Sequence, residues 1–523
     1  MSLKIDQKQI RKRFLKGKAS LETVSCLGGG ILMGITCDPV NAWFLAWIAL
    51  IPLWLSVVRQ KPSYSIVPGV MFSIGYYGIA LFWITGVHPM TWMGVPWLTS
   101  LLIAIFCWVF LIVWGSLLII LWSWGMFYLK RFLHHPLSRV VVGVALWCSL
   151  ETIRSYTPLH WTTLAFTQSP HNLPILQLLS VSGITTVTAM IVAFNGLIAA
   201  SIMFRRQENQ FSVNRGFIQG AIALLVSLHL GGWLLYLQPV ETSPQDAIRV
   251  GIIQGNVPNE IKLYPEGWRK AIDGYTEGYI NLAENGAEAI LTPETALPFQ
   301  WRQQVNQRSD FYQAILDQQV PVWLGAFGKK GSRYTNSLYS INGEGETLSR
   351  FDKVKLVPLG EYIPLEAWLG KIINRLSPLD SHLAKGDADQ TFMTPFGKAI
   401  VGICYESAYG EHFRRQAAAG GTFILSASND AHYSETMPAQ HHAQDIMRAI
   451  ETHRSMVRAT NTGYSAIVDP RGNTLWLSEM NQYETHIGTI YKQQNQTLYV
   501  RWGNWLNWIL IGFGGGVILI RRN

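Results

Sequence analysis

The hydrophobic pattern divides the chain into two unlike regions. Apolar runs with few acidic residues follow one another over residues 1–238, whereas residues 245–500 have the composition of an ordinary globular protein. A helix needs about 17 or more predominantly apolar residues to cross a bilayer. Eight runs of this kind predict eight membrane spans, at residues 22–38, 41–58, 64–87, 95–127, 137–153, 176–204, 216–238 and 502–520.

The positions of the basic residues predict how these spans are oriented. Lysine and arginine are concentrated in the N-terminal tail, in the second, fourth and sixth connections and at the C-terminus, whereas the alternating connections carry almost none. Because positively charged loops stay in the cytoplasm, we expect both termini to be cytoplasmic. The polar region follows the seventh span and is expected on the outer side. The net charge of +9 does not indicate a nucleic-acid partner, because many of the basic residues lie in short turns between spans.

The polar region predicts an α/β domain. Short apolar segments alternate with helical patterns there, which is typical of this class. The predicted strands are 248–254, 289–292, 320–326, 399–403 and 423–426, and the predicted helices are 266–284, 303–318 and 438–458. We therefore divide the chain into a membrane domain of seven helices at 1–240, an outward domain at 245–498 and an eighth membrane helix at 502–520.

One cysteine stands apart from the other four. Cys404, in Val-Gly-Ile-Cys-Tyr-Glu-Ser, follows an apolar segment and precedes a helix-like one, whereas the others lie within or beside the long apolar runs. A thiol at a strand-to-helix turn can be exposed, and helical N–H groups can lower its pKa. The five cysteines form neither a disulfide framework nor a zinc pattern, so we expect no metal and no cofactor.

Two further motifs complete a candidate site. Glu294 lies in Leu-Thr-Pro-Glu-Thr-Ala-Leu-Pro, and Lys353 in Phe-Asp-Lys-Val-Lys-Leu-Val-Pro-Leu-Gly-Glu-Tyr-Ile-Pro. Taken singly, Glu294 could cap a helix, Lys353 could be a solvated surface residue, and Cys404 a small buried hydrophobe. Together they supply a base, a cation and a thiol, which is a chemically complete set for acyl transfer.

These motifs, with Gln-Gly-Asn-Val-Pro (254–258), Ser-Asn-Asp-Ala (428–431), Arg-Ala-Ile-Glu (448–451) and Arg-Ala-Thr-Asn-Thr-Gly (458–463), resemble the nitrilase superfamily. Within it, the eight predicted spans around an outward domain are similar to the apolipoprotein N-acyltransferase family. The resemblance implies an αββα sandwich carrying a Glu-Lys-Cys triad of Glu294, Lys353 and Cys404. It also implies a multi-pass protein of the bacterial inner membrane with a periplasmic catalytic domain.

The resemblance further implies a two-step reaction. Cys404 would take an acyl chain from a phospholipid such as phosphatidylethanolamine, and the thioester would pass it to the N-terminal amine of a diacylglyceryl-cysteine lipoprotein. Glu294 would act as the base and Lys353 would stabilise the oxyanion. We expect the bilayer, the phospholipid donor and the lipoprotein acceptors as partners of a monomer.

Other residues match or depart from the family pattern. Glu361 and Glu406 match acidic positions that could orient Lys353 or the amine, or could form structural ion pairs. Tyr405 could shape the acyl site or simply pack. Leu263 stands where the family often has tryptophan, and His432 stands in Asn-Asp-Ala-His-Tyr where the family has Asn-Asp-Ala-Trp-Phe.

Residues 364–378 have apolar positions at helical spacing. This predicts a helix that lies on the bilayer surface or packs on its own domain.

Three alternative functions remain open. A membrane-tethered nitrilase-like amidase would keep the triad and use water as acceptor to hydrolyse a C–N bond, although a tether needs only one span. A transporter would require charges within the spans, which are nearly bare of them. A lipid-binding protein with an inactive domain would not need Glu294, Lys353 and Cys404 together.

Overall fold

The computed structural model describes residues 7–59, 66–203, 214–302, 308–363, 382–431 and 433–520. In the first half of the chain the α-helices are Gln7–Ile35, Ala46–Ala49, Ile51–Arg59, Val67–Ala80, Trp97–Leu129, Pro136–Ser155, Leu173–Gln177, Leu179–Ser182, Ile184–Met203 and Arg215–Tyr236. In the second half they are Asn259–Lys262, Pro265–Glu284, Asp310–Gln318, Gly410–Ala418, Thr436–Thr452, Leu498–Trp502 and Trp505–Ile520.

Four of the described helices are long and apolar enough to cross a membrane: Trp97–Leu129, Pro136–Ser155, Ile184–Met203 and Arg215–Tyr236. The other four predicted spans coincide with shorter apolar helices or with helices interrupted by turns. The predicted span 176–204 begins too early, because the chain is broken at Gly183, whose φ of 61° ends one helix before helix Ile184–Met203 begins. Length and composition therefore support half of the predicted spans.

Glycines bring two of the first helices into backbone contact. A Cβ on Gly30 of helix Gln7–Ile35 would lie 2.1 Å from the carbonyl oxygen of Phe72, and a Cβ on Gly75 would lie 2.6 Å from the amide nitrogen of Ile31. Small residues of this kind let membrane helices approach closely, where packing rather than water exclusion holds them together. This contact aligns helices Gln7–Ile35 and Val67–Ala80.

Among the described residues, the region 245–498 predicted to face outward contains thirteen strands in two sheets. In chain order β1 to β13 are Ala247–Gln254, Ala289–Leu291, Leu297–Gln300, Val322–Lys330, Arg333–Ile341, Thr347–Asp352, Phe392–Thr394, Gly397–Ile403, Ile424–Ser428, Met456–Thr460, Ala466–Val468, Thr474–Leu477 and Glu484–Tyr491. The first sheet has the order β13-β1-β2-β4-β5-β6, with β3 beside β4, and the second has the order β12-β11-β10-β9-β8-β7.

The two sheets pack face to face between layers of helices. Side chains of both inner faces, such as Ile252 of β1 and Val401 of β8, form one core between the sheets. Helices Pro265–Glu284 and Asp310–Gln318 cover the outer face of the first sheet. Helices Gly410–Ala418 and Thr436–Thr452 cover the second sheet in a hydrophobic core that continues into the membrane helices. The arrangement is an αββα sandwich whose last helical layer rests on the bundle.

Each of the five predicted strands is present, within a few residues at each end. The predicted helix 438–458 is wrong at its C-terminal end. The helix stops at Thr452 because His453 adopts a left-handed conformation, with φ of 54°. The chain then turns back as β10, which pairs with β9 and β11 in the interior of the second sheet.

We predict that replacing Gly30 with valine separates helix Gln7–Ile35 from helix Val67–Ala80. The added side chain has no room at the Phe72 carbonyl, so the substitution should cost about 1–3 kcal/mol or more and lower the thermal unfolding midpoint in detergent. Gly28→Val is the matched control, because nothing lies within 4 Å of a Cβ at Gly28. Equal midpoints for the two variants would contradict this packing.

Candidate functional site

The three candidate residues lie just beyond the ends of three strands. Glu294 follows β2, Lys353 follows β6 and Cys404 follows β8. β2 and β6 belong to the first sheet and β8 to the second. Because the two sheets face each other, their strand ends bring all three side chains into one buried pocket, in which both Glu294 and Lys353 act electrostatically on the Cys404 thiol.

Lys353 is the centre of a buried ion cluster. Its Nζ lies 2.9 Å from Glu294 Oε1 and 3.0 Å from Glu361 Oε1, and its side chain is 1% exposed. Asn336 on β5 donates to the same two oxygens, at 2.6 Å and 3.1 Å. Although burial would lower the pKa of Lys353, the two carboxylates raise it well above its usual value, so the ammonium stays charged.

Glu294 is held as a carboxylate within the protein. Burial would raise its pKa, but Lys353 and, to a smaller extent, Lys262 and Asn336 lower it below its usual value near 4.5. Both hydrogen bonds to its carboxylate from the described residues go to Oε1. The other oxygen is therefore available as a proton acceptor.

Cys404 occupies the predicted strand-to-helix turn, but its thiol is neither exposed nor acidic. The residue is 6% exposed. Burial, reinforced by Glu294, raises the pKa of the thiol well above its usual value of 9.0, and the opposing effects of Lys353 and the Asn429 backbone are smaller. The expectation that helical N–H groups make the thiol acidic is therefore wrong. This thiol needs a base to remove its proton.

A second buried lysine was missed by the sequence reasoning. Lys262, beside Leu263, is 4% exposed and donates from Nζ to the backbone oxygen of Glu294 at 3.1 Å. Burial lowers its pKa to about 8, against the opposing influence of Glu294 and Cys404. The available signal is its position in Ile-Lys-Leu-Tyr, next to the departure from the family pattern at Leu263. Leu263 itself is partly buried against a small cluster of Phe327, Leu356 and Leu383.

Glu406 connects the turns that carry Lys353 and Cys404. Its Oε1 accepts hydrogen bonds from the amides of Val354 and Lys355, at 2.7 Å and 3.0 Å, and its Oε2 accepts from the amide of Ile403 at 2.8 Å. The side chain is fully buried. Of the two predicted roles, orienting Lys353 fits this geometry, although Glu406 acts on the backbone after Lys353 and not on the ammonium.

A buried polar network supports the Cys404 turn from behind. His441 contacts the carbonyl oxygen of Cys404 through Nε2 at 2.8 Å and Asp430 Oδ1 through Nδ1 at 3.0 Å. Both partners can accept a hydrogen bond from the ring. Arg458 pairs with Asp430 at 2.9 Å and with Asp445. Arg458 thus joins two carboxylates behind the turn, and Asp430 is the one that also contacts His441.

The same network holds the one described cluster of metal-ligating side chains. Single donor atoms of Cys404, Asp430 and His441 lie within 4.8 Å of one another. His441 and Asp430 already bond each other and their neighbours, however. The donors are therefore engaged in supporting the turn. Asp430 and Arg458 lie in motifs that carry the family resemblance, but no sequence signal indicated a role for either residue.

Tyr405 anchors the Cys404 turn to the membrane helices. Its hydroxyl donates to the carbonyl oxygen of Pro158 at 2.6 Å and accepts from the amide of His160 at 3.1 Å. Its ring stacks on Trp161, with centroids 6.1 Å apart and planes 6° apart. Trp161 also donates to Gln440 of helix Thr436–Thr452. The loop after helix Pro136–Ser155 therefore forms a support for the residue next to Cys404, which no sequence signal indicated.

Two sequence predictions lie outside the described residues. These are the amphipathic helix at 364–378 and the departure at His432.

Two known family models match this chain, one in each of its two regions. Residues 29–197 match the family model described as the apolipoprotein N-acyltransferase N-terminal domain. Residues 249–498 match the family model of carbon-nitrogen hydrolases. Together the two matches cover both the apolar region and the outward domain.

Curated relatives match nearly the whole chain. An apolipoprotein N-acyltransferase from Nostoc sp. is 54% identical over 92% of this chain and 95% of its own length. One from Synechocystis sp. is 48% identical over 92% of this chain and 96% of its own length. Among solved structures, an amidase from Nesterenkonia sp. is 18% identical, with a TM-score of 0.35, over 48% of this chain and 92% of that chain.

We predict that Glu406→Gln destabilises the protein. The amide retains one acceptor oxygen and turns an NH₂ group towards a backbone N–H, so at least one buried donor loses its partner. Such a loss costs about 1–3 kcal/mol, and the thermal unfolding midpoint should fall. Glu344→Gln, at an exposed turn, is the control and should leave the midpoint unchanged. An unchanged midpoint in Glu406→Gln would show that the three hydrogen bonds do not support the fold.

Proposed function

The chain belongs to the apolipoprotein N-acyltransferase family, and we propose that Glu294, Lys353 and Cys404 are the residues that carry out its acyl transfer. The protein is a bacterial membrane enzyme that moves a fatty acyl chain from a phospholipid to the N-terminal amine of a lipoprotein. The observation that carries the assignment is the buried cluster itself. An ionised Glu294 and a charged Lys353 face a neutral Cys404 thiol.

In the first step of the proposed reaction the thiol attacks an ester carbonyl of the phospholipid. Glu294 takes the proton from Sγ as the S–C bond forms, and the Lys353 ammonium stabilises the negative charge that develops on the carbonyl oxygen. The C–O ester bond then breaks. Glu294 returns the proton to the departing alkoxide, so a lysophospholipid leaves and a thioester remains on Cys404.

In the second step the lipoprotein amine attacks the thioester. An N–C bond forms, the C–S bond breaks, and the amine proton passes through Glu294 to the sulfur, which restores the thiol. A thioester is more reactive towards an amine than an oxygen ester is. Storing the acyl chain on sulfur therefore divides a slow exchange into two faster steps.

The finer assignments belong to the same proposal. The donor is phosphatidylethanolamine, the acceptor is a diacylglyceryl-cysteine, and the enzyme acts as a monomer. The chain forms eight spans, seven within residues 1–240 and the last at 502–520, with both termini in the cytoplasm and residues 245–498 in the periplasm. The distribution of lysine and arginine supports this orientation. Glu361 positions Lys353, and Glu406 and Tyr405 position the backbone on either side of the pocket.

Contacts between the bundle and the Cys404 turn favour acyl transfer at a membrane over the amidase alternative. A hydrolase acting on a soluble amide needs no more than a tether. Here the loop after helix Pro136–Ser155 bonds directly to Tyr405, and Gln440 bonds to the backbone of Ala80 in the bundle. The pocket is therefore built partly from the membrane domain, which suits substrates anchored in the bilayer.

We predict a covalent acyl-enzyme on Cys404. Incubating the full-length protein with phosphatidylethanolamine should add the mass of one acyl group, and hydroxylamine should remove it because it cleaves thioesters. Cys404→Ala should show no adduct. Cys107→Ala, which removes a half-buried thiol of helix Trp97–Leu129, is the matched control and should keep the adduct. Activity retained in Cys404→Ala would refute the mechanism.

We predict that the rate of acyl-enzyme formation changes less than about twofold between about pH 6 and 7, where Lys262, which lies beside Glu294 and has a pKa of about 8, stays charged. The pKa of Glu294 is lowered below 4.5 and that of Cys404 is raised above 9.0, so neither group changes its protonation state in this range. The rate should fall only in acid, as pH passes down through the lowered pKa of Glu294. Single-turnover kinetics at each pH would measure the rate of acyl-enzyme formation.

A rate rising about tenfold per pH unit would instead indicate attack by a thiolate formed in advance. Glu294→Gln provides the comparison, because without the general base the residual rate should depend on thiolate and rise with pH.

A further inference from the structure

A polar cavity lies between the outward domain and the membrane helices, separate from the Cys404 pocket. Its volume is about 150 Å³, and Glu294, Lys353 and Cys404 are not among its lining residues. The outward domain contributes Lys355, Arg415 and Arg448, and the bundle contributes Ser155 and His160, among others. Cavities that hold whole small molecules usually exceed about 300 Å³. This one therefore has room for a small polar group and not for an acyl chain.

Two residues that line the cavity each carry a buried polar atom without a hydrogen-bond partner among the described residues. Nε of Arg448 and Oε2 of Glu451 are buried and have no hydrogen-bond partner among the described residues, although Nη2 and Oε1 of the same side chains bond each other at 2.9 Å. Arg448 is 1% exposed and Glu451 is fully buried. A Cβ on Gly410 would lie 2.7 Å from Glu451 Oε2 and 2.9 Å from Arg448 Nη1. Glycine at this position therefore keeps the space beside both groups open.

The charge of the cavity favours an anion. Lys355, Arg415 and Arg448 are its cations, and Glu411 and Glu451 are its acids. Glu411 is already engaged by Arg414 through two hydrogen bonds, as well as by Arg415. Burial raises the pKa of Glu451 to about 7, so this carboxyl is neutral about half of the time near neutral pH. Positive charge thus exceeds negative charge in the cavity.

The position of the cavity indicates which anion is available. Thr152 and Ser155 lie at the end of helix Pro136–Ser155, and Asn504 immediately precedes helix Trp505–Ile520. Asn504 donates to Thr152, which joins the two helix ends. Tyr156 and Trp502 beside them are 69% and 64% exposed. Exposed aromatic residues at the ends of apolar helices mark the level of the lipid headgroups.

We propose that this cavity binds a phosphate ester, supplied by the headgroup of a phospholipid that stays bound between the two domains and is not consumed. Arg448 Nε, Lys355 and Arg415 donate charge-assisted hydrogen bonds to the phosphate oxygens. The acyl chains lie outside the cavity along the apolar helices. The proposed lipid site does not depend on the reaction at Cys404, so it can be tested separately from the proposed function.

Native mass spectrometry of the full-length protein with a diether phosphatidylglycerol tests this proposal. The ether lipid has no ester that the enzyme could consume. The wild-type protein and Cys404→Ala should each retain one lipid. The Lys355→Gln/Arg415→Gln variant should bind it at least about tenfold more weakly, because two charge-assisted hydrogen bonds are lost. Lys355→Arg/Arg415→Lys should restore binding, and equal thermal midpoints would show that the variants are folded.

Lys329→Gln/Lys398→Gln is the matched control, because it removes two exposed positive charges of the same domain away from the cavity. If this control weakened lipid binding equally, the loss would be due to net charge, and the proposal would be overturned. Lipid lost from Cys404→Ala would assign it to the Cys404 pocket and overturn the proposal as well. In a second arm with inorganic phosphate, a retained phosphate without retained lipid would support the anion site with free phosphate as its source. If the protein retained neither the lipid nor phosphate, the proposal would be overturned.

Discussion

One ammonium group, buried between two carboxylates, determines the protonation states of the candidate site. The Lys353 side chain is 1% exposed, so its charge depends on Glu294 and Glu361, which lie within 3.0 Å of it. The same contact keeps Glu294 ionised in a place where burial alone would protonate it. An ionised carboxylate next to a thiol in turn helps to keep that thiol neutral. The protonation states of Lys353, Glu294 and Cys404 thus depend on one another, and changing one of these groups changes the other two.

The fold brings the residues of this cluster together by placing them just beyond the ends of strands. Gly325 of β4 shows how tight the fit is, because a Cβ there would lie 1.9 Å from the carbonyl oxygen of Pro293, next to Glu294. Cys404 itself has a φ of 52°, which is costly for a residue with a side chain. Glu406 and His441 hold this conformation from two sides. The strained backbone of Cys404 is therefore held in place by the hydrogen bonds around it.

The sequence predicted the parts of this arrangement that depend on local pattern. Alternating apolar segments predicted the strands, and three polar motifs after such segments predicted Glu294, Lys353 and Cys404 as one site. It did not predict the state of the thiol, because the pKa of Cys404 depends on burial and on charges from distant segments. Lys262 and His441 were missed for a related reason. Each is an ordinary polar residue in a helical stretch until the fold brings it against Glu294 or Cys404.

The contact between Tyr405 and the loop at Pro158 has a consequence for how the enzyme comes into being. The turn that carries the thiol rests on a wall supplied by a different domain, made earlier in the chain, and a single hydrophobic core runs through both. A chain whose helices have not yet assembled lacks that wall and leaves the matching apolar face uncovered. The Cys404 turn can therefore reach its final position only after the membrane helices have assembled beside it.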